Sequence, residues 1–357
     1  MATALDDERV QVGVLGGGAF GTAMAIHCAR KGHAVTLWAL EQEVVDSLNG
    51  PERENLMYFK GHKAPPGLRA TRVMQEAVRG SAMILAVIPT QFVGRTMLQV
   101  AQELQPDQIV VSCSKGITTD TLETVDEVLK RVLPPAIRSC LAFLSGPSFA
   151  AEVAAELPSA VTIASHDECT ASRAQQLLST PRFRCYRTAD VEGVELCGAL
   201  KNVLAIGCGI SDGLQFGNNG RAALITRGTY EITKLAVAKG GNPLTMSGLA
   251  GMGDIVLTCT GDLSRNRTVG LRLGRGEKLE AVQASMNAVA EGVPTARAAY
   301  ALACKLGVEC PVLEGIFRVI HEGADPASVV LEAMSRDLKP EVEPAVMAAA
   351  AAMRTRL

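Results

Sequence analysis

Apolar and polar positions follow one pattern in the first half of the chain and another in the second. In the first half, short apolar runs alternate with stretches of helical periodicity. Five of these runs are predicted to be β-strands: residues 10–15, 34–38, 83–88, 108–112 and 141–144. Short apolar strands separated by helices are typical of a parallel sheet with helices on both faces. The first half therefore predicts a doubly wound α/β fold.

The pattern changes near residue 190. Beyond it, residues 192–208, 222–238 and 293–306 have helical periodicity, and the apolar runs typical of strands stop. Such a change suggests a domain boundary near residues 187–192, and 357 residues are enough for two domains. We predict an α/β domain over residues 1–190 and a mostly α-helical domain over 191–357, with a terminal helix at 345–353.

A glycine-rich turn follows the first predicted strand. Gly16, Gly18 and Gly21 fall in a G-x-G-x-x-G register between a strand and a helix, and the helix is predicted to end at Gly32. In that context the first glycine permits a tight turn, the second lets the backbone approach a pyrophosphate, and the third lets the helix pack closely on the strand. The turn favours a Rossmann-type dinucleotide-binding domain. A glycine-rich turn of another α/β protein is the alternative.

An acidic residue, Glu41, follows the second predicted strand. It lies about 20 residues after the glycines, where a carboxylate that binds the adenosine ribose is expected. Its charge would repel a 2′-phosphate, so the sequence favours NAD over NADP. The alternative is a solvated loop carboxylate.

Lys201 is a candidate for proton transfer. It shares a helical face with apolar side chains at three- and four-residue spacing, among them Val194, Cys197, Leu204 and Cys208. Burial of an ammonium lowers its pKa towards neutrality, as an acid/base catalyst needs. The alternative is a side chain that extends to solvent. Asn202 should point elsewhere and hydrogen-bond a neighbouring element.

Five polar residues in the second half of the chain, and Lys115 in the first half, are further candidates for a functional site. Asp254 and Thr258 are one helical turn apart and can reach the same partner. Ser264, Arg265 and Asn266 could begin a helix and bind phosphate through helix-terminal amides and a guanidinium, although ordinary N-capping with a surface arginine is the alternative. Lys115 follows a predicted strand at the edge where open sheets bind ligands.

Composition excludes several other kinds of protein. Lys plus Arg (35) nearly balances Asp plus Glu (37), which gives no global reason to expect nucleic acid or an anionic membrane as partner. The most apolar stretch, residues 196–210, is interrupted by Lys201 and Asn202, so no membrane span is predicted. The ten cysteines and five histidines show no metal-ligand spacing.

The same features indicate where the protein acts. The start of the chain fits neither a secretory signal nor a transit peptide. The cysteines are scattered without any CxxC pair, which favours reduced thiols in a reducing compartment. We expect a cytoplasmic protein. The final residues, Thr355, Arg356 and Leu357, bear only a weak similarity to a peroxisomal address.

The ordered set of motifs resembles the NAD(P)-dependent glycerol-3-phosphate dehydrogenases over roughly residues 10–335. The motifs are GGGAFGTA, VIPTQF, SKGI, LSGPSFAAEVA, GALKNVLAIG, ARAALITRG, GLAGMGDIVLTCT, SRNRTVG and AEGVPTA. The resemblance implies hydride transfer between a nicotinamide coenzyme and dihydroxyacetone phosphate, giving sn-glycerol 3-phosphate, in a homodimer.

The resemblance also implies roles for individual residues. Lys201 would be the general acid/base, with Lys115, Asp254 and Thr258 around it. The implied substrate contacts are Lys115, Gly146, Ser148, Lys201, Asn202, Asp254, Ser264, Arg265 and Asn266. The implied dinucleotide contacts are Ala19, Phe20, Phe92, Lys115, Ala150, Arg265, Val289 and Glu291, beside the glycines and Glu41. No metal is implied.

Two departures and two alternatives remain. Gly17 stands where the family more often has another small residue, which should affect little. Leu40 and Glu41 replace the basic or imidazole side chains that some NADP-using members have after the second strand, which leaves coenzyme choice open but favours NAD. A β-hydroxyacid-type dehydrogenase also combines a dinucleotide domain with helices and a Lys-Asn pair. A dinucleotide-sensing protein without turnover would need only the features of the first domain.

Overall fold

The computed structural model describes residues 8–286, 289–338, 340 and 341. The predicted helix at 345–353 and the terminal Thr-Arg-Leu lie outside these residues. Contacts divide the chain into two compact units. The first holds the residues up to Ser114 together with Val125–Val191, and the second holds Lys115–Thr124 together with the residues from Glu192 onward.

An eight-stranded sheet forms the core of the first unit. In spatial order its strands are β10 (Phe183–Thr188), β9 (Ser159–Ala164), β8 (Leu141–Ser145), β7 (Ile109–Ser112), β6 (Met83–Ala86), β1 (Gln11–Leu15), β2 (Ala34–Trp38) and β5 (Leu68–Thr71). The chain runs from β1 outward to β5 and then returns to β6 on the other side of β1. Such a reversal of strand order marks the point where α/β sheets bind ligands.

The predicted doubly wound fold is confirmed, with additions and one correction. All five predicted strands are present within a few residues of their expected bounds. Strands β5, β9 and β10 and a small antiparallel hairpin of β3 (Glu54–Asn55) and β4 (Phe59–Lys63) were not predicted. The sheet is not wholly parallel, because β8 and β9 pair antiparallel. The sequence hides β10 because alternate exposed positions of this edge strand interrupt its apolar pattern.

Helices cover the sheet of the first unit. They are α1 (Ala19–Arg30), α2 (Gln42–Asn49), α3 (Met74–Val78), α4 (Val93–Leu98), α5 (Val125–Val132), α6 (Ala150–Ala154) and α7 (Glu168–Leu178), with 3₁₀ turns at Thr90–Phe92 and Pro135–Cys140. Helix α1 follows the glycine turn directly. Its last helical residue is Arg30, and Gly32, which was predicted to terminate it, lies two residues beyond with a φ of 102° that suits glycine.

Helices are the only regular secondary structure among the described residues of the second unit. Its helices are α8 (Val191–Gly213), α9 (Gly217–Ala238), α10 (Asp254–Thr260), α11 (Arg265–Gly274), α12 (Leu279–Ala284), α13 (Gly292–Leu306), α14 (Pro311–Phe317) and α15 (Pro326–Met334). A 3₁₀ turn (Pro243–Ser247) and two π-helical turns (Leu249–Gly253 and Arg318–Glu322) complete it. The predicted helices of the second half are confirmed as α8, α9 and α13.

Helix α8 is the central helix of the second unit. By length and composition it could cross a membrane, but 94% of its most apolar window is buried, as in a core helix. The segment Lys115–Thr124, which the sequence analysis put in the first domain, packs with this unit. It does so because Ile117 is fully buried in the apolar core around α8 and Lys115 has its ion-pair partner there.

Glycines allow α8 and α11 to cross very closely. A Cβ atom on Gly270 of α11 would lie 1.9 Å from the Ile206 carbonyl oxygen, and one on Gly209 of α8 would lie 2.1 Å from the Arg267 oxygen. No side chain fits at such distances, so the two backbones touch. The crossing brings polar residues of both helices within hydrogen-bonding distance of each other.

Substitution of Gly270 by alanine should destabilise the second unit. We expect Gly270→Ala to lower the free energy of unfolding by about 1–3 kcal/mol, because the added methyl group forces the helices apart. Urea denaturation measures the change. Gly220→Ala is the matched control on α9, because its Cβ would meet its nearest neighbour at an ordinary 3.4 Å, and alanine favours a helix by about 1 kcal/mol over glycine. Equal stability of the two variants would contradict the close crossing.

Candidate active site

A buried carboxylate shared by two lysines is the main polar feature of the second unit. Asp254 Oδ1 accepts from Lys201 Nζ at 2.6 Å, and Asp254 Oδ2 accepts from Lys115 Nζ at 2.7 Å. Lys201 Nζ also donates to Thr258 Oγ1 at 2.8 Å. The side chain of Asp254 is 1% exposed and that of Lys201 is 8% exposed. The expectation that Asp254 and Thr258 meet the same partner is confirmed.

Three elements place these groups. Lys201 lies in the middle of α8, on the helix face that packs into the core. Asp254 is the first residue of α10, which continues directly from the π-helical turn Leu249–Gly253, and Thr258 follows one turn later. Lys115 comes from the segment that joins this unit from the first half of the chain.

The surroundings change the acidity of both partners. Burial lowers the pKa of Lys201 to about 8, although the Asp254 carboxylate opposes the shift. Burial acts to raise the pKa of Asp254, but the two ammonium groups outweigh it and hold that pKa below its usual value. Lys201 does not extend to solvent, so the alternative considered from the sequence is wrong. Its ammonium can lose a proton near neutral pH, as an acid/base catalyst requires.

Two asparagines link the lysines to α11 and α13. Asn266 Nδ2 donates to Asn202 Oδ1, and the Gly292 amide donates to Asn266 Oδ1, both at 2.9 Å. Asn202 Nδ2 points to the Lys115 carbonyl oxygen at 3.4 Å. Asn202 therefore contacts neighbouring elements, as predicted. These bonds use the oxygen and one N–H of Asn266. Its second N–H has no partner among the described residues and can donate to a ligand.

The start of α11 presents a cation. Ser264 caps the helix, its Oγ accepting from the Arg267 amide at 3.2 Å, so the predicted helix start is confirmed and its hydroxyl oxygen is engaged. Arg265 is exposed and makes no hydrogen bond to another described residue. Partial desolvation of its own guanidinium lowers the pKa of Arg265, and the Glu291 carboxylate opposes this shift, which places Glu291 near Arg265.

In the first unit, the three glycines of the turn meet different surroundings. A Cβ on Gly16, whose φ is 132°, would lie 2.2 Å from the Val87 oxygen, and one on Gly21 would lie 1.9 Å from the Gly16 oxygen. A Cβ on Gly18 would meet nothing within 4 Å. Gly16 and Gly21 thus allow close packing, whereas Gly18 borders open space at the start of α1. This arrangement fits a pyrophosphate held by helix-terminal amides.

Two residues that the sequence analysis missed hold this part of the first unit. The fully buried Asn55 donates through Nδ2 to the Gly17 oxygen at 2.7 Å and to Thr22 Oγ1 at 2.8 Å. Tyr58 donates its hydroxyl to Glu41 Oε1 at 3.0 Å. Glu41 is therefore half-buried and oriented, not a freely solvated loop carboxylate. Both residues come from the β3–β4 hairpin region, which gave no strand signal in the sequence.

The remaining predicted residues lie at strand ends and helix starts. Ser148 Oγ donates to the Gly146 oxygen at 3.0 Å in the loop after β8, and the Arg95 guanidinium lies 4.1 Å from the centre of the Phe92 ring after β6. Ala19 and Phe20 begin α1, Ala150 begins α6 and Val289, which is 52% exposed, precedes α13. The structure brings Lys115, Lys201, Asn202, Asp254, Thr258 and Asn266 into one hydrogen-bonded cluster.

Known proteins match both halves of the chain. Models of the NAD-dependent glycerol-3-phosphate dehydrogenase N-terminus and C-terminus match residues 11–171 and 190–331. The glycerol-3-phosphate dehydrogenase (NAD(P)+) of Citrifermentans bemidjiense is 51% identical over 331 residues, 93% of this chain and 98% of the relative. That of Geobacter sulfurreducens is 50% identical over the same shares. The crystal structure of glycerol-3-phosphate dehydrogenase from Coxiella burnetii has a TM-score of 0.87 and 38% identity, covering 92% of this chain and 99% of that one.

A Rossmann-type sheet with an open glycine turn and a buried lysine of lowered pKa are together typical of a nicotinamide-dependent dehydrogenase. The matches to known proteins specify the dehydrogenase family. The chain belongs to the NAD-dependent glycerol-3-phosphate dehydrogenase family. The resemblance stated from the motifs is confirmed, and neither a β-hydroxyacid-type dehydrogenase nor a sensing protein is the family matched.

The lowered pKa of Lys201 can be measured directly. In protein labelled with ¹³C at the lysine ε carbon, we expect the Lys201 signal, assigned by its loss in Lys201→Arg, to titrate near pH 8. Asp254→Asn removes the negative charge that favours the ammonium, so the Lys201 pKa should fall further. A wild-type midpoint near the ordinary lysine value of about 10.4, or a higher midpoint in Asp254→Asn, would contradict the described electrostatics.

Proposed function

We propose that this protein interconverts dihydroxyacetone phosphate and sn-glycerol 3-phosphate with NAD(H) or NADP(H). The observation that carries the proposal is the Lys201–Asp254–Lys115 cluster in a chain of this family. Relatives about 50% identical over nearly their whole length bear the name of that activity, which supports the same reaction here.

Lys201 is the proposed general acid in the direction of ketone reduction. When bound, the nicotinamide coenzyme supplies the hydride that the substrate carbon accepts. Lys201 Nζ donates a proton to the substrate oxygen as negative charge develops on it, and the ammonium of Lys115 stabilises that charge. Asp254 orients both ammonium groups through its two oxygens. In the reverse direction, neutral Lys201 accepts the proton of the alcohol.

The start of α11 is the proposed site of the substrate phosphate. The Arg265 guanidinium and the first amides of α11 suit a phosphate dianion. Binding energy at this group, which does not react, orients the reacting carbon. We include Ser264, the free N–H of Asn266, Asn202, Gly146 and Ser148 among the substrate contacts.

The first unit is the proposed dinucleotide-binding domain, and the second is the substrate domain. Gly16, Gly18 and Gly21 would hold the pyrophosphate, while Glu41, oriented by Tyr58, would accept from the adenosine ribose hydroxyls. The other proposed dinucleotide contacts are Ala19, Phe20, Phe92, Lys115, Ala150, Arg265, Val289 and Glu291.

We also propose that the protein acts as a homodimer in the cytoplasm. All ten cysteines are free thiols, as is usual in a reducing compartment, and the dimer follows from the family resemblance. Light scattering on the purified protein tests whether it is a dimer, and imaging of the tagged chain tests whether it is cytoplasmic.

Removal of the Lys201 ammonium should abolish most turnover but not coenzyme binding. We expect Lys201→Ala to reduce kcat with dihydroxyacetone phosphate by about 10²- to 10⁴-fold, the usual effect of losing a general acid, while NADH binding measured by calorimetry persists. Lys305→Ala, at an exposed position of α13, is the control and should keep wild-type turnover. Near-normal kcat in Lys201→Ala would remove this residue from the mechanism.

Removal of the Arg265 guanidinium should weaken recognition of the phosphorylated substrate. We expect Arg265→Ala to raise KM for dihydroxyacetone phosphate about 10- to 100-fold, the cost of one charge-assisted contact. Its slow reaction with unphosphorylated dihydroxyacetone should change little, because that compound lacks the phosphate. Both reactions are measured at saturating coenzyme, because Arg265 is also a proposed dinucleotide contact. Arg275→Ala, at the exposed end of the same helix, is the control. Parallel losses with both substrates would argue against phosphate binding by Arg265.

A further inference from the structure

A cavity of about 360 Å³ lies at the carboxyl ends of β2 and β5 in the first unit. Trp38, Leu40, Arg72 and Gln99 are among the residues that line it. Its walls combine apolar surface with one cation, the guanidinium of Arg72. The sequence analysis did not single out Arg72, because β5 was not predicted.

The cavity is next to the glycine turn in the same unit. The Gly16 amide donates to the Trp38 carbonyl oxygen at 3.0 Å, and the Ala39 amide donates to the Thr71 oxygen at 3.1 Å. The ends of β1, β2 and β5 therefore lie side by side, and Arg72 is the first residue after β5. In sheets of this kind, the adenosine half of a dinucleotide lies beyond the end of β2.

The position of Arg72 is fixed while its guanidinium is available. The Trp38 indole Nε1 donates to the Arg72 carbonyl oxygen at 3.1 Å, which holds the backbone. The side chain is exposed and makes no hydrogen bond or ion pair with another described residue. Arg69, three residues earlier on β5, is instead paired with Glu76 at 3.0 Å. Among the residues that the structure describes, the Arg72 guanidinium therefore has no partner that fixes it.

The residues directly after β2 provide no cation for this region. Leu40 is apolar and 64% exposed, and Glu41 is a carboxylate held by Tyr58. A ribose carrying a 2′-phosphate needs a positive partner here, and an arginine beside the ribose is one that dinucleotide sites use. A guanidinium can bind a phosphate through two parallel hydrogen bonds.

We propose that Arg72 binds the 2′-phosphate of NADP(H) and is a coenzyme-specificity residue of this protein. The proposal rests on the proposed dehydrogenase function, whose coenzyme it concerns. Glu41 favours the free ribose hydroxyls of NAD(H), and Arg72 favours the 2′-phosphate. With these two opposed groups on neighbouring strand ends, the enzyme uses both coenzymes, and the balance between the two side chains sets the ratio.

Two nucleotides that differ only in the 2′-phosphate isolate this interaction. Calorimetry on the full-length protein compares adenosine 2′,5′-bisphosphate with adenosine 5′-monophosphate. We expect Arg72→Ala to weaken the bisphosphate about 10- to 100-fold and to change the monophosphate less than about threefold. Arg69→Ala is the matched control on the same strand and should leave both affinities unchanged. Steady-state kinetics should agree: in Arg72→Ala, kcat/KM should fall for NADPH and stay unchanged for NADH.

The other possible outcomes would overturn either the role of Arg72 or the proposed function. Equal weakening of both nucleotides in Arg72→Ala, or no measurable binding of the bisphosphate by the wild type, would overturn the role of Arg72. Absence of turnover with dihydroxyacetone phosphate and either coenzyme would overturn the proposed function instead. A bisphosphate preference lost only in Arg72→Ala would still assign the 2′-phosphate to Arg72 in that case, because nucleotide binding is measured without substrate.

Discussion

The buried carboxylate of Asp254 is the interaction on which the second unit depends. It binds two ammonium groups at once, and an isolated buried charge costs several kcal/mol. Two cations and one anion leave the cluster with one positive charge in excess. Burial, together with the second ammonium group of Lys115, lowers the pKa of Lys201 to about 8 despite its direct ion pair with Asp254. The excess positive charge also means that the cluster is electrostatically suited to an oxygen that becomes negative during a reaction.

Backbone packing supports that electrostatic arrangement. The glycines of α8 and α11 let the two helices touch, and the Asn202–Asn266–Gly292 hydrogen bonds join α8, α11 and α13. Lys201 is thereby held on a helix whose other contacts are fixed. A catalytic group on a rigid helix needs little reorganisation when it acts.

Local patterns predicted the features that depend on local sequence. The glycine turn, the start of α11 at Ser264 and the shared partner of Asp254 and Thr258 each follow from short-range spacing, and all are present. The roles of Asn55, Tyr58 and Arg72 depend on which strand ends become neighbours, which a single sequence does not encode locally. Strand β10 was missed because exposed alternate positions interrupt its apolar pattern. The antiparallel direction of β9 was missed because pairing with β8, not apolar periodicity, defines it.

The chain enters the second unit twice, first for Lys115–Thr124 and again from Glu192. The second unit is thus discontinuous in sequence, and its boundary cannot be drawn with a single cut. A fragment that begins after residue 190 would lack Lys115, so Asp254 would keep only one of its two ammonium partners, and the core would lose the fully buried Ile117. An exchange of domains among relatives would have to transfer the segment Lys115–Thr124 together with the helices against which it packs.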